Sequence, residues 1–250
     1  MFYEPKLQLA LDMPDLIEAL RVTQLASGEI DIIEVGTVLG AADGMSAVRA
    51  LRALFPHHTL LADLRIVRAG GVMARLAFEA GADWVTVMSD APDETLEAVL
   101  AEARKYGREA QIELGDRWNM DDIRRWRAMG FEQFIFHRSS EVIAVSDEVW
   151  HEHDFSSIRE MAELGCRVTV TGGLLPEDIQ LFKGIPVYVF ISGRAICKAD
   201  DPAAAAGRYR EAIRLTYRTE RGGSGDSEGT RGGAGGSFGG DGGGFGGGDA

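Results

Sequence analysis

Cysteine is scarce in this 250-residue chain: Cys166 and Cys197 stand far apart, each in an apolar context. That argues against a disulfide-stapled secreted scaffold and for two buried thiols in a reducing compartment. No apolar run approaches the ~20 residues that a membrane-spanning helix needs. The amino terminus, MFYEPKLQLALD, lacks a charged segment followed by an apolar core, so no signal peptide is expected. Positive charge is also in short supply, with 26 Lys and Arg against 39 Asp and Glu and a formal net charge of −13. Without a Lys/Arg-rich block, such a chain repels nucleic acid and anionic membranes, and neither is expected as a partner. From Arg221 onward apolar side chains nearly vanish, and Phe238 and Phe245 stand isolated among Gly, Ser, Asp and Glu. Such a segment cannot offset the entropy of ordering, so 221–250 is expected to be a disordered, flexible tail, inert or acting as a tether. Residues 1–220 are expected to form one folded domain of a cytoplasmic protein.

Within that domain, short β-rich runs alternate with amphipathic helical runs. The strand candidates are Leu7–Asp12, Ile30–Gly36, Thr59–Ile66, Trp84–Ser89, Ala110–Gly115, Gln133–Arg138, Arg167–Gly173 and Val187–Gly193. A helix fits after each: Pro14 opens one through Leu16, Ile17 and Leu20, another runs from Met45 to Phe55, and the last from Pro202 to Tyr217. Near-continuous apolar strands separated by helices imply a parallel sheet covered on both faces. Eight such units in one domain point to a (β/α)8 TIM barrel rather than an open sheet. Glycines following Ala80, Met129 and Leu164 sit where helix C-caps belong.

The polar residues fall on one side of this pattern. Asp12, Glu34, Asp63, Glu113 and His137 each lie at or near the C-terminal end of a strand candidate, where the βα loops of a barrel build a site. A single acid there is more often a helix cap; a set spread over five strands reads as functional. Glu34 and Asp63 come from adjacent strands, so their carboxylates could share a hard divalent cation such as Mg2+, with water and substrate oxygens completing its shell. The plainer alternative is that Asp63 only pairs with Arg65. His137 is of the residue type best suited to proton transfer. His151 and His153 in WHEHD have H-x-H spacing without further ligands and read as a solvated turn. Thr171, Gly172 and Gly173 close one late strand, and Ser192, Gly193 and Arg194 close the next. Glycine lets a phosphate approach backbone N–H groups, and Arg194 adds a cation. The last two βα loops of such barrels are a frequent phosphate site. Together these residues predict a small phosphorylated ligand beside a divalent metal, with chemistry through an enediolate. Proton abstraction, decarboxylation and aldol cleavage share that intermediate, and the pattern leaves all three open.

A longer set of matches now becomes informative: ALD (10–12), DIIEVGT (31–37), LAD (61–63), ADWVTV (82–87), QIEL (111–114), FHRS (136–139), VTVTGGL (168–174), LFKGIPV (181–187) and FISGR (190–194). In this order they resemble the family of 3-keto-L-gulonate-6-phosphate decarboxylase and hexulose-6-phosphate synthase, within the orotidine-5′-phosphate decarboxylase superfamily. The resemblance implies homodimeric (β/α)8 barrels with sites at the subunit interface and a Mg2+-stabilised cis-enediolate. It implies decarboxylation of a phosphorylated β-keto sugar acid to a pentulose 5-phosphate and CO2, as in ascorbate catabolism. An aldol reaction of the hexulose-6-phosphate type, or a non-catalytic sugar-phosphate-binding homologue, is the alternative. Residue by residue, it gives Glu34 and Asp63 to the metal and Asp12 and Glu113 to the substrate. It gives proton delivery to His137, and the phosphate to Thr171, Gly172, Gly173, Gly193 and Arg194.

Three positions depart from the family pattern. Its Asp-x-Lys-x-x-Asp signature reads Asp63-Leu64-Arg65-Ile66-Val67-Arg68. Arg65 stands where the family's lysine contacts the intermediate, and Arg68 where an aspartate enters the neighbouring subunit's site. Ser140 stands where an arginine helps the histidine. Asp63, Arg65, Arg68 and His137 are thus the expected catalytic positions. An Arg68 aimed at the metal from ~6 Å would be repelled by about 5 kcal/mol at an effective dielectric of ~20. Arg65 keeps the positive charge but presents a planar fork that does not release its proton. Two arginines here could also hold a second anionic group or stand in for the metal.

Overall fold

The computed structural model describes residues 4–138 and 150–218. Ser140 and the glycine-rich segment from Arg221 lie outside the described residues. Eight strands form a closed parallel barrel in chain order, β1 pairing with both β2 and β8. They are β1 Lys6–Leu11, β2 Ile32–Val35, β3 Thr59–Ile66, β4 Trp84–Met88, β5 Glu109–Leu114, β6 Gln133–His137, β7 Arg167–Thr171 and β8 Val187–Ser192. The TIM barrel is thus the observed fold, and β3 has the bounds its sequence predicts.

The helices start and stop where local chemistry dictates. In α1 (Leu16–Ala26), the Asp15 side chain accepts from the amides of Ile17 and Glu18, relieving two of the donors that a helix start leaves unpaired. The α4 (Gly70–Ala80) and α6 (Met120–Met129) helices end on Gly81 and Gly130 at φ 109° and 114°, a left-handed backbone that glycine adopts at least cost. Between β2 and β3 two helices stand in place of one, α2 (Thr37–Asp43) and α3 (Met45–Leu54), hinged at Gly44. The α5 (Asp93–Tyr106) and α7 (Glu152–Glu163) helices complete the middle of the ring. After β7 the expected α-helix is a 3-10 helix, Pro176–Phe182, because Pro176, Gly184 and Pro186 leave too short a run for regular turns. A short α8 (Arg194–Cys197) precedes α9 (Pro202–Tyr217). No helix among the described residues is long and apolar enough to cross a membrane.

Strand alternation divides the buried residues into two sets. One, including Leu9, Ile33, Val85, Phe134 and Val170, packs against the helices. The other, Ala10, Ile32, Leu61, Trp84, Ile135, Val189 and Ile191, packs as a separate, smaller cluster on the opposite strand faces. Gln8, Thr86, Gln111, Gln133 and Thr169 are also fully or almost fully buried on the strands, so much of this interior is polar. Both cysteines are free thiols, and burial pushes Cys166 up to about 11 and Cys197 to about 12, which makes them poor nucleophiles.

Candidate active site

The C-terminal strand ends surround a cavity of about 540 Å³. Asp12, Glu34, Asp63, Arg65, Glu113, His137, Thr171, Gly172, Gly173, Gly193 and Arg194 all line it. Every sequence-predicted site residue is therefore brought together except Arg68, which is exposed and outside the lining. β3 ends at Ile66, and Ala69 turns the chain with a left-handed φ of 56°, so Arg68 falls on the connection to α4 rather than on the strand.

One wall is a network of side chains. Asp63 accepts at Oδ1 from the Thr86 hydroxyl (2.7 Å) and at Oδ2 from the Thr37 hydroxyl (2.7 Å) and Arg65 Nε (3.2 Å). Arg65 also places Nη2 at 3.3 Å from Glu113 Oε1, the oxygen that faces His137 Nδ1 at 2.6 Å. A carboxylate accepts only, so Nδ1 carries the proton and Nε2 is the ring nitrogen left for a ligand. Arg65 reaches this position from a strained backbone. Its φ is 43°, at a bulge where the β3–β4 register shifts between Ala62 and Ile66, and its amide donates to Thr86 Oγ1 at 2.8 Å. A left-handed non-glycine residue costs roughly 1–2 kcal/mol, which the ion pairs and this bond offset. Burial works against the Arg65 charge, but Asp63 and Glu113 outweigh it and raise its pKa.

Glu34 is buried, and Gln8 Nε2 donates to its Oε2 at 2.6 Å. Burial pushes the Glu34 pKa well up, and the charges of Asp63, Asp12 and Glu113 push it further against the opposing Gln8 bond. Asp12, Glu34, Asp63 and Glu113 thus face one lining guanidinium on this wall, an arrangement short of positive charge. Hard, anionic oxygens on adjacent strands fit a hard divalent cation. Among the described residues no group of three or more His, Cys, Asp or Glu is arranged to hold a metal, so the fit is to an ion using two carboxylates with water and substrate oxygens. Asp12 has a second role: its Oδ1 accepts from the Val38 amide at 3.3 Å, capping α2, and it packs where a Cβ on Gly36 would stand.

The opposite wall is backbone. Gly172 and Gly173 have φ of 123° and 62°, and the amides of Gly172, Gly173 and Leu174 donate to no backbone acceptor among the described residues. Successive N–H groups of this kind form a concavity suited to an anion, with Gly193 and Arg194 on the adjoining loop. A Cβ on Gly172 would lie 2.4 Å from Arg138 O, so the close packing there requires glycine, and one on Gly193 would sit tightly at 3.1 Å from Ala10 O.

Sequence reasoning missed Gln8, Thr37 and Thr86, which orient the two carboxylates. Their one signal is a polar residue in an apolar strand, as in LQLAL and WVTVM, or directly after it, as in Thr37. His151 and His153 lie at the start of α7, with His153 mostly exposed and 3.2 Å from Asp154, among residues outside the cavity.

Residues 5–209 match the orotidine 5'-phosphate decarboxylase / HUMPS family model. The 3-keto-L-gulonate-6-phosphate decarboxylase UlaD of Salmonella paratyphi B is 44% identical over 209 residues, covering 84% of this chain and 96% of that protein. Among solved structures, KGPDC from Streptococcus mutans in complex with D-R5P gives a TM-score of 0.83 at 35% identity, covering 86% of this chain and 100% of that one. The 3-keto-L-gulonate-6-phosphate decarboxylase of Vibrio cholerae gives 0.79 at 38% identity, again covering 86% and 100%. With fold, cavity and matches in agreement over the whole barrel, the chain belongs to the orotidine 5'-phosphate decarboxylase / HUMPS family.

Proposed function

We propose that this protein is a carboxy-lyase acting on a phosphorylated β-keto sugar acid of the 3-keto-L-gulonate 6-phosphate kind, releasing CO2 and a pentulose 5-phosphate. The observation that carries this reading is one cavity joining an amide cradle to a carboxylate wall that ends on His137. Thr171, Gly172, Gly173, Gly193 and Arg194 hold the phosphate, which leaves the reacting end of the sugar beside Glu34, Asp63 and Glu113. Asp12 and Glu113 bind sugar hydroxyls. As CO2 departs, the electron pair of the breaking C–C bond passes into the neighbouring keto group as an enediolate. A proton then returns to the carbon that lost the carboxylate, delivered from Nε2 of the doubly protonated His137 ring, which is left neutral with its Nδ1 proton still on Glu113. Arg65 stays charged throughout and opposes the developing negative charge. Glu34 and Asp63 would hold a divalent cation, read as Mg2+, which supplies positive charge against the enediolate oxygens when bound.

An aldol reaction of the hexulose-6-phosphate type would use the same cavity, but the likeness to 3-keto-L-gulonate-6-phosphate decarboxylases favours loss of CO2. The active form is read as a homodimer. Val38, Val67, Val72 and Leu76 are exposed on α2, α4 and the loop before α4, an apolar set that a second barrel would cover. Purified protein given 3-keto-L-gulonate 6-phosphate and Mg2+ should release CO2. Release no faster than from a Glu34→Gln control would rule the reaction out.

A further inference from the structure

The phosphate cradle contains two consecutive glycines, the residue type least able to hold its own conformation. Something outside the loop must therefore fix it. On the incoming limb, the Arg138 amide donates to Thr171 O at 3.0 Å, and Gly172 packs against the Arg138 carbonyl. On the outgoing limb, the Tyr209 hydroxyl donates to Leu174 O at 2.6 Å. Tyr209 is buried on α9, far from the cavity in sequence and absent from its lining.

We propose that Tyr209 is a positioning residue for phosphate: its hydroxyl fixes the Leu174 end of the β7 loop and so holds the outgoing limb of the cradle in place. The inference rests on the reading of Thr171–Gly173 and Gly193–Arg194 as the phosphate site. A ligand held by backbone amides gains affinity when those amides are already in place, because less freedom is lost on binding. Without the hydroxyl, the hydrogen bonds left to the outgoing limb among the described residues are the Leu175 amide to Asp178 Oδ2 (2.7 Å) and the Asp178 amide to Leu175 O (3.0 Å), which tie it to the 3-10 helix and not to the barrel.

A matched control lies on the same helix. Tyr217 donates to Phe182 O and Ile185 O at 3.1 and 3.0 Å, a phenol-to-carbonyl tie of the same kind away from the cradle. Titration of the full-length protein with inorganic phosphate and with D-ribose 5-phosphate should give a Kd about fivefold weaker in Tyr209→Phe, the effect of roughly one hydrogen bond. Tyr217→Phe should bind as the unaltered protein does, and Arg194→Met at least tenfold more weakly. Amide NMR signals of Gly172 and Gly173 should move in Tyr209→Phe before ligand is added, and stay in place in Tyr217→Phe. Equal losses in the two phenylalanine variants would make Tyr209 a general helix anchor and overturn the proposal, as would an unchanged Kd in Tyr209→Phe. Phosphate binding indifferent to Arg194→Met would instead remove the cradle itself, and the positioning role with it.

Discussion

At the N-terminal end of the barrel, Asp31 pairs with Arg210 (2.7 Å), Asp83 with both Arg52 and Arg108, and Glu109 with Arg167 (2.9 Å). At the C-terminal end, Asp12, Glu34, Asp63 and Glu113 share the cavity wall with Arg65. The same residue types are thus fully paired at one rim and left acidic at the other. The paired rim also closes on itself through backbone: Asp31 accepts from the Leu7 amide and Asp83 from the Leu60 amide, fixing neighbouring strands. The acidic rim leaves its carboxylates near one another, where Glu34 is held well above the ordinary carboxylate range. At one rim each acid meets its own arginine; at the other, four acids share one.

Glu34→Gln should break this contrast most strongly. Losing a charged group aimed at the reacting centre should lower kcat/KM by about 10²–10³-fold. The same change should raise folding stability by about 1 kcal/mol in metal-free buffer, since a neutral amide can keep the Gln8 bond without burying charge among like charges. Steady-state kinetics and urea denaturation on one preparation test both signs. A variant both inactive and less stable would mean that Glu34 is structural.

At the paired rim the signs should reverse. Arg52 donates to Gly81 O (2.9 Å), Pro56 O (3.0 Å) and His58 O (3.0 Å) as well as pairing with Asp83. Arg52→Met leaves these acceptors and a largely buried carboxylate short of a partner, at a cost of about 2–4 kcal/mol. Thermal melts should register that loss while kcat/KM stays within about twofold. A larger kinetic effect would show that the two ends are coupled.

Much of this arrangement is legible without coordinates, because strand alternation and glycine punctuation set β3 to its residue and put Asp12, Glu34, Asp63, Glu113 and His137 at strand ends. What escapes the sequence is direction after a bulge. Arg65 and Ala69 take left-handed backbones that no propensity assigns to arginine or alanine, and those two angles separate Arg65, inside, from Arg68, outside. The threonines escape for another reason. A Thr in a strand is ordinary β-branched packing until its neighbour on the next strand is known, and only the pairing of β3 with β4 brings Thr86 to Asp63.

Arg65→Lys sharpens the contrast at the acidic rim. One ammonium cannot present Nε to Asp63 and Nη2 to Glu113 together, so the tie that steadies Glu113 against His137 should loosen. Stability should fall by no more than about 1 kcal/mol, because the arginine side chain is 42% exposed and solvent screens its pairs. Turnover should change by about tenfold in either direction, with a pH profile displaced from that of the parent protein.

The smallest effect is expected at Arg68. It follows the strand, is exposed and does not line the cavity of its own barrel, so counting it among the charges that oppose the four acids would be an error. Arg68→Asp, which restores the acid of the family pattern, should alter folding stability by less than about 0.5 kcal/mol and leave phosphate affinity unchanged. Calorimetric melts and phosphate titration of the same variant measure both. A Tm lower by several degrees would mean that Arg68 does counterbalance Glu34 and Asp63. The C-terminal rim would then be as fully paired as the N-terminal one, and its acidity would no longer mark the site.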